Sequence, residues 1–321
     1  MNRGRREITR IAFLAACLAN LAWASSPEYP QTQRIDHVDV YHGIEVADPY
    51  RWLEEDVRQS QRVADWVNAQ NKVTFGYLKS LPRREQIKKR LTELWDYPKY
   101  SVPWKAGGRY YMAKNDGLQN HDVIYVMDSL DGPRRVLLDP NKWSKDGTTA
   151  LGGMSFSEDG RFVAYGIQDA GSDWRTWKVR DIETAEDLPD TLKYLKFTSA
   201  AWDPKSRGFF YAKYPDPDPN DRFTSLNKKM KVMYHCLGTS QENDVVVFYR
   251  PDQPEWGYNV EVTDDGRYLI LTIWVGTDEK YRIMYKDLDQ PYAMPVDLIE
   301  DFENEYSFID NDGPVFFFRT D

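Results

Sequence analysis

Cysteine is nearly absent from this 321-residue chain, which has only two, Cys17 and Cys236. Cys17 lies in the N-terminal leader described below. Once it is removed, Cys236 has no partner for an intramolecular disulfide, and no cysteine-based metal site exists. Stability must come from core packing. Cys236 itself sits in a strand-like run (233–237), where a small buried apolar role is expected. Histidine is almost as scarce, with four: His37, His42, His121 and His235. None has H-E-x-x-H spacing or a cysteine at zinc-ligand distance, so no metal and no cofactor is expected. Basic charge is in deficit, 42 Lys+Arg against 51 Asp+Glu for a net charge of −9. That balance excludes the basic footprint of a nucleic-acid binder. Long apolar runs are missing too. The one candidate, residues 11–24, is too short to span a bilayer. Neither a G-x-S-x-G nucleophile elbow nor a G-x-x-x-x-G-K-S/T phosphate loop occurs.

The short apolar run follows a basic stretch, MNRGRREITR, and ends in Ala22-Trp23-Ala24. This is the pattern of a secretory signal peptide over residues 1–24, with export to the periplasm or beyond. A competing lipoprotein box, Leu14-Ala15-Ala16-Cys17, would tether the protein to a membrane through Cys17. Cleavage after Ala24 is the expected outcome, because few apolar residues precede Cys17.

Aromatic residues, by contrast, are plentiful at 14%, and they favour strands. Residues 60–95 read as helices: Val63, Trp66, Val67 and Gln70 share one face, then Ile87, Leu91, Leu94 and Trp95 recur at helical spacing. From residue 98 the periodicity changes. Five segments pair two apolar runs around a Gly-containing turn, at Gly108, Gly160, Gly208, Gly266 and Gly313. Each is the sequence form of a β-hairpin. A third strand follows in three units, ending at Asp128, Asp181 and Asp287. A repeat of about 50 residues with about four strands is a propeller blade. The fifth unit reaches Asp321 before its third strand, so about four and a half blades are expected.

Candidate chemistry in the chain itself is thin. Asp216, Asp218 and Asp221 superficially resemble a calcium loop, but the glycine and the bidentate glutamate are absent. Runs such as Glu54-Glu55-Asp56 and Glu300-Asp301 read as solvated surface. From its residues alone the chain is a ligand-presenting scaffold.

The stretch YHGIEVADPYRWLEE (41–55) resembles the N-terminal signature of the prolyl oligopeptidase family of serine peptidases, and Tyr29-Pro30 and Arg34 fit the same pattern. The resemblance continues through Ser172-Asp173-Trp174, Glu186-Asp187-Leu188-Pro189-Asp190, Lys196-Phe197 and Asp264-Asp265-Gly266-Arg267-Tyr268, to Phe302-Glu303-Asn304-Glu305-Tyr306. It implies a mainly β fold: a partial seven-bladed propeller (98–321) preceded by a helical segment (25–97) that packs on an α/β-hydrolase domain. In the family that domain carries the Ser-Asp-His triad, and the propeller gates access for short proline-containing peptides cleaved after proline. The triad is absent from these residues, so no catalytic residue is assigned and the chain is expected to be inactive by itself. The C-terminal hydrolase domain is the expected partner. The resemblance marks Arg282, in GTDEKYRIMY (276–285), as the arginine lent to the substrate peptide through its planar guanidinium. Two positions depart from the family: Val179 stands where it places an aromatic, and Gly257 where it places a larger apolar residue. The competing expectation is a non-catalytic propeller that binds peptides or a protein partner and closes its ring with residues 35–43.

Overall fold

A computed structural model describes residues 27–218 and 225–321, so the expected signal peptide, Cys17 and Asp221 lie outside the described residues. The chain divides into two compact units, one ending at Leu94 and the other running from Trp95 to Asp321.

The first unit holds a hairpin, a 3-10 turn and two helices. Strands Val38–Tyr41 and Ile44–Ala47 pair with each other, joined by His42 and Gly43, both at positive φ (52° and 82°). Two left-handed residues in succession suit a two-residue hairpin turn. Helix α1 (Gln61–Ser80) begins where the Ser60 hydroxyl accepts from the Val63 N–H at 3.4 Å, an N-cap. The extended segment before the hairpin runs along it: Trp66 Nε1 donates to Thr32 Oγ1 at 3.0 Å and Gln70 Nε2 to the Pro30 carbonyl at 3.0 Å. Val63 is buried, as is Trp52, whose ring meets Trp66 edge to face at 6.4 Å. Helix α2 (Arg84–Trp95) buries no residue. Residues 35–43 do not supply a blade strand. Their strand pairs with Ile44–Ala47 in an isolated two-stranded sheet, which removes the ring closure of the competing expectation.

The second unit is mainly β and has propeller architecture. Blade 1 comprises Lys99–Tyr100, Trp104–Ala106, Arg109–Asn115, Val123–Met127 and Arg135–Leu138. Its first strand is split in two, both pieces pairing with Arg109–Asn115, because Pro103 offers no N–H to the ladder. Blade 2 is Thr149–Phe156, Phe162–Asp169, Arg175–Asp181 and Asp187–Leu195; blade 3 is Ala201–Trp202, Gly208–Lys213, Lys231–Cys236 and Val245–Phe248. Blade 4 is Trp256–Val262, Tyr268–Val275, Arg282–Asp287 and Val296–Ile299, and blade 5 is represented by the hairpin Tyr306–Asp312/Val315–Thr320. Each sheet is an antiparallel meander.

Apolar clusters fill the gaps between consecutive blades. Tyr111, Val126 and Leu138 of blade 1 pack with Val163 and Tyr165 of blade 2. Trp177 and Val179 pack with Phe209 and Tyr211 of blade 3, Phe210 and Val232 with Tyr258 and Leu271 of blade 4, and Ile270 and Ile283 with Phe308 and Phe316 of blade 5. The turns between first and second strands also touch in succession. Asp159 N–H donates to Ser206 Oγ at 3.2 Å, and Asn311 Nδ2 to Asp265 Oδ2 at 2.7 Å. Cys236 departs from its expected burial: it is exposed, because it closes its strand while the preceding residue, His235, takes the fully buried position.

Candidate functional site

Blade 4 carries the residue marked by sequence. Arg282 opens the third strand, opposite Ile273, at the end of the sheet away from the glycine turn. Its guanidinium lies 5.2 Å from the Trp256 ring centroid and donates to Asp297 Oδ1 from Nη2 at 2.8 Å and from Nε at 3.2 Å. The side chain is 17% exposed. A guanidinium has five N–H donors, so the Asp297 contact leaves others for a ligand carbonyl while fixing the plane of the group.

The two departures from the family pattern have different outcomes. Val179 is fully buried in the packing between blades 2 and 3, so it lines no open surface. Gly257 is covered by the ring of Trp274, its register partner on the next strand. A Cβ at position 257 would fall 2.2 Å from Trp274 Cζ2. The bulk missing at Gly257 is thus supplied from across the strand pair.

Trp274 in turn lines two hollows. One, of about 840 Å³, opens between blades 3 and 4 and is lined by Phe197, Tyr214, Leu226 and Val275, with Lys228 and Glu255 at its border. Those two charges pair with each other, Nζ to Oε1 at 3.0 Å. The other, of about 510 Å³, lies between blades 4 and 5 and is bounded by Glu261, Asp278, Glu279, Tyr281 and Tyr306. Burial, and secondarily the charge of Asp264, raises the Glu261 carboxyl above its ordinary range.

A family model for the prolyl oligopeptidase N-terminal beta-propeller domain matches residues 30–321. The chain belongs to the prolyl oligopeptidase family. It is 37% identical over 314 residues to a prolyl endopeptidase of Elizabethkingia miricola, covering 98% of this chain and 43% of that protein. Against prolyl oligopeptidase A of Amanita bisporigera it is 34% identical, over 91% of this chain and 42% of the relative. A solved structure of prolyl oligopeptidase B from Galerina marginata, bound to a 35mer hydrolysis and macrocyclization substrate, superposes with a TM-score of 0.79 at 30% identity, over 94% of this chain and 45% of that one. The chain therefore spans less than half the length of these family members, and the matched part is the propeller portion.

One polar group escaped sequence reasoning. His235 is wholly buried between two carboxylates: Nε2 is 2.9 Å from Asp190 Oδ1, contributed by blade 2, and Nδ1 is 2.7 Å from Asp244 Oδ1 of blade 3. Asp190 also accepts from the Gly238 N–H at 2.7 Å, and Asp244 from the Tyr211 hydroxyl at 2.7 Å. Burial opposes the imidazolium, but hydrogen bonds to both carboxylates outweigh it and raise His235 to about 9. No open surface reaches this triad, so it clamps blade 2 to blade 3. The separation of 45 positions between Asp190 and His235 hides it from any motif search. No group of three or more metal-ligating side chains suited to an ion occurs among the described residues, and no described helix is long and apolar enough to cross a membrane.

Proposed function

We propose that this chain is the exported, non-catalytic propeller portion of a prolyl oligopeptidase, which gates and helps bind short peptides cleaved after proline. The co-linear match of residues 30–321 to the family's propeller domain carries this reading. The absence of a G-x-S-x-G elbow from the 321 residues supports it. Binding and filtering then belong to this chain, while the acyl-transfer chemistry belongs to a hydrolase domain. Arg282 donates to a peptide carbonyl, and Asp297 and Trp256 hold its guanidinium in plane.

Two measurements test the reading. Purified chain leaves a chromogenic Gly-Pro substrate intact, whereas turnover blocked by a serine-directed phosphonate overturns the assignment. A fluorescent proline-containing peptide binds the chain, and Arg282→Ala weakens that binding about tenfold, as loss of a charge-assisted hydrogen bond should. Asp297→Asn breaks the ion pair but leaves Arg282 in place. It retains most of the peptide affinity if Arg282 acts on the ligand, and matches Arg282→Ala if the ion pair is only structural. Export places the mature N-terminus at Ser25. A diacylated Cys17 found by mass spectrometry would replace that with membrane anchoring.

A further inference from the structure

We propose that Arg175 and Trp177 of blade 2 form a carboxylate-binding site over a floor of glycines, which takes the free C-terminus or an acidic side chain of a peptide. This deepens the peptide-binding reading above and rests on it, although the site lies on a different blade from Arg282. The third strand of blade 2 carries three cations, Arg175, Lys178 and Arg180. Lys178 and Arg180 share Asp187, at 3.4 and 2.7 Å. Arg175 has no ion pair among the described residues, and its Nε is buried without an acceptor. Nε1 of Trp177, a residue only 2% exposed, is in the same state. Two positions apart on a strand, the two side chains share a face. The carboxylates that flank this end of the sheet are engaged elsewhere: Asp169 accepts from Thr149 Oγ1 at 3.3 Å, and Asp173 adds its charge to the surroundings of Lys196. Buried donors are nearly always hydrogen-bonded, so two orphans on one face point to an acceptor that arrives from outside the chain.

The floor beneath them has no side chains. Gly166 faces Trp177 in register on the second strand, and Gly153 faces Gly166 on the first. Gly152 is the extra residue of a bulge between Leu151 and Gly153. A Cβ on Gly166 would stand 3.0 Å from Trp177 Nε1 and 3.5 Å from Arg175 Cδ, and one on Gly152 would stand 2.9 Å from Arg175 Nε. Both orphan donors therefore border one patch of bare backbone, the surface that lets a ligand approach closely. The first strands of blades 2, 3 and 4 abut in succession, so the patch reaches the inner edge of its blade, toward the propeller axis. A carboxylate answers this arrangement. It only accepts, it has two oxygens for two donors, and it neutralises the arginine. A neutral carbonyl would leave that charge unpaired.

The test uses the full chain below the concentration at which it scatters light, with ligand-observed NMR and blocked dipeptides that lack proline. Acetyl-alanyl-alanine, with a free C-terminus, binds about tenfold more tightly than acetyl-alanyl-alanine amide. Acetyl-aspartyl-alanine amide carries its carboxylate on the side chain. A preference for either acid over the amide supports the site, and the tighter of the two names the source. Arg175→Gln abolishes the preference, and Arg175→Lys, which keeps the charge but not the planar fork, retains only part of it. Gly152→Ala, at a backbone angle outside the left-handed region, pushes the guanidinium aside and lowers the preference likewise. In a chain labelled with nitrogen-15 tryptophan, the preferred acid shifts the Trp177 indole N–H resonance and the amide does not. Equal binding of acids and amide overturns the proposal. So does a preference that survives Arg175→Gln in a chain of unchanged melting temperature, or a Trp177 resonance unmoved at saturation. If acids are preferred while proline-containing peptides fail to bind, the carboxylate site stands and the prolyl-peptide reading falls. If proline-containing peptides bind while acids and amide are equal, the reverse holds.

Discussion

Among the described residues, His235 stands at a concentration of buried charge. Its imidazole and both partner carboxylates are fully buried, and removing the cation would leave two carboxylates facing each other inside the protein. Uncompensated buried charge costs about 3–5 kcal/mol. His235→Ala should therefore lower the melting temperature by on the order of 10 °C. The folded value, raised to about 9 from the ordinary 6.5, fixes the pH dependence. The stabilisation is complete below about pH 6.5 and is lost as pH rises through about 9. Asp190 works in the opposite direction. Burial opposes its charge, but the hydrogen bonds from His235 and the Gly238 N–H outweigh that and hold it below its ordinary range. Its contribution is present above that ordinary range and is lost as pH falls. Thermal melts between pH 6.5 and 9.5 check the first expectation: wild type loses stability across the window and His235→Ala shows a flatter profile. A parallel slope in both proteins would remove His235 as the titrating group. At this scale the sequence was least legible. Nothing in the spacing of Asp190, His235 and Asp244 tells that two strands of different blades bring them together. Cys236 was misread for a related reason. In a short strand, the face that turns inward is set by the neighbouring blade rather than by the local run of apolar residues.

At the scale of the element, the glycine turns do more than reverse the chain. Gly160, at φ +67°, sits so close to blade 1 that a Cβ on it would fall 2.1 Å from the Gly107 carbonyl oxygen. Gly313, at φ +55°, has nothing within 4 Å of the same position. Both pay the left-handed penalty on substitution, about 1–2 kcal/mol, but only Gly160 also forces two backbones apart. Gly160→Ala should cost about 3 kcal/mol or more, and Gly313→Ala about 1–2 kcal/mol, measured by denaturant melts of the two variants side by side. Equal losses would mean that blade 1 can give way at no cost. These hairpins were readable because their turn residues are local signals. The fourth strands were not. Arg135–Leu138, Val245–Phe248 and Val296–Ile299 are four residues each, too short for alternation to declare itself. The third-to-fourth pairing in every one of the four sheets contains a register shift. A bulge inserts a residue and breaks the period of two on which sequence reading depends. In blade 3 the third strand is legible as the strand-like run around Cys236, but its place in the blade is not, because residues 214–230 separate it from its hairpin.

At the scale of the whole molecule, apolar surface rather than chemistry is the outstanding feature. Ile87, Leu91, Leu94 and Trp95 of α2 are 52–63% exposed, although they form the amphipathic face that the sequence predicts. In the last hairpin Ile309, Val315 and Phe317 are at least half exposed, and Val315–Thr320 is hydrogen-bonded on one side only within its two-stranded sheet. Fully burying a side chain of this size contributes about 1.5–3 kcal/mol, so seven of them half exposed forgo stabilisation comparable with the ~5–15 kcal/mol by which an ordinary domain is stable. A contiguous apolar helix face and a flat aromatic edge strand are also the two surfaces most prone to pair with copies of themselves. The 321-residue chain should accordingly scatter light in a concentration-dependent way near neutral pH, where its net charge of −9 opposes association only weakly at physiological salt. Two variants separate the surfaces: Leu91→Glu acts on the helix face, and Phe317→Lys places a charge on the edge strand. Each should raise the concentration at which scattering begins, and the double variant should raise it further, because the two sites lie on separate elements and add. A hydrolase domain supplied in trans should suppress scattering through α2 alone. Its effect would then persist in Phe317→Lys and vanish in Leu91→Glu. A monodisperse monomer with one sharp, reversible transition would instead mean that neither surface seeks a partner, and the two-domain reading of this chain would lose its strongest physical support.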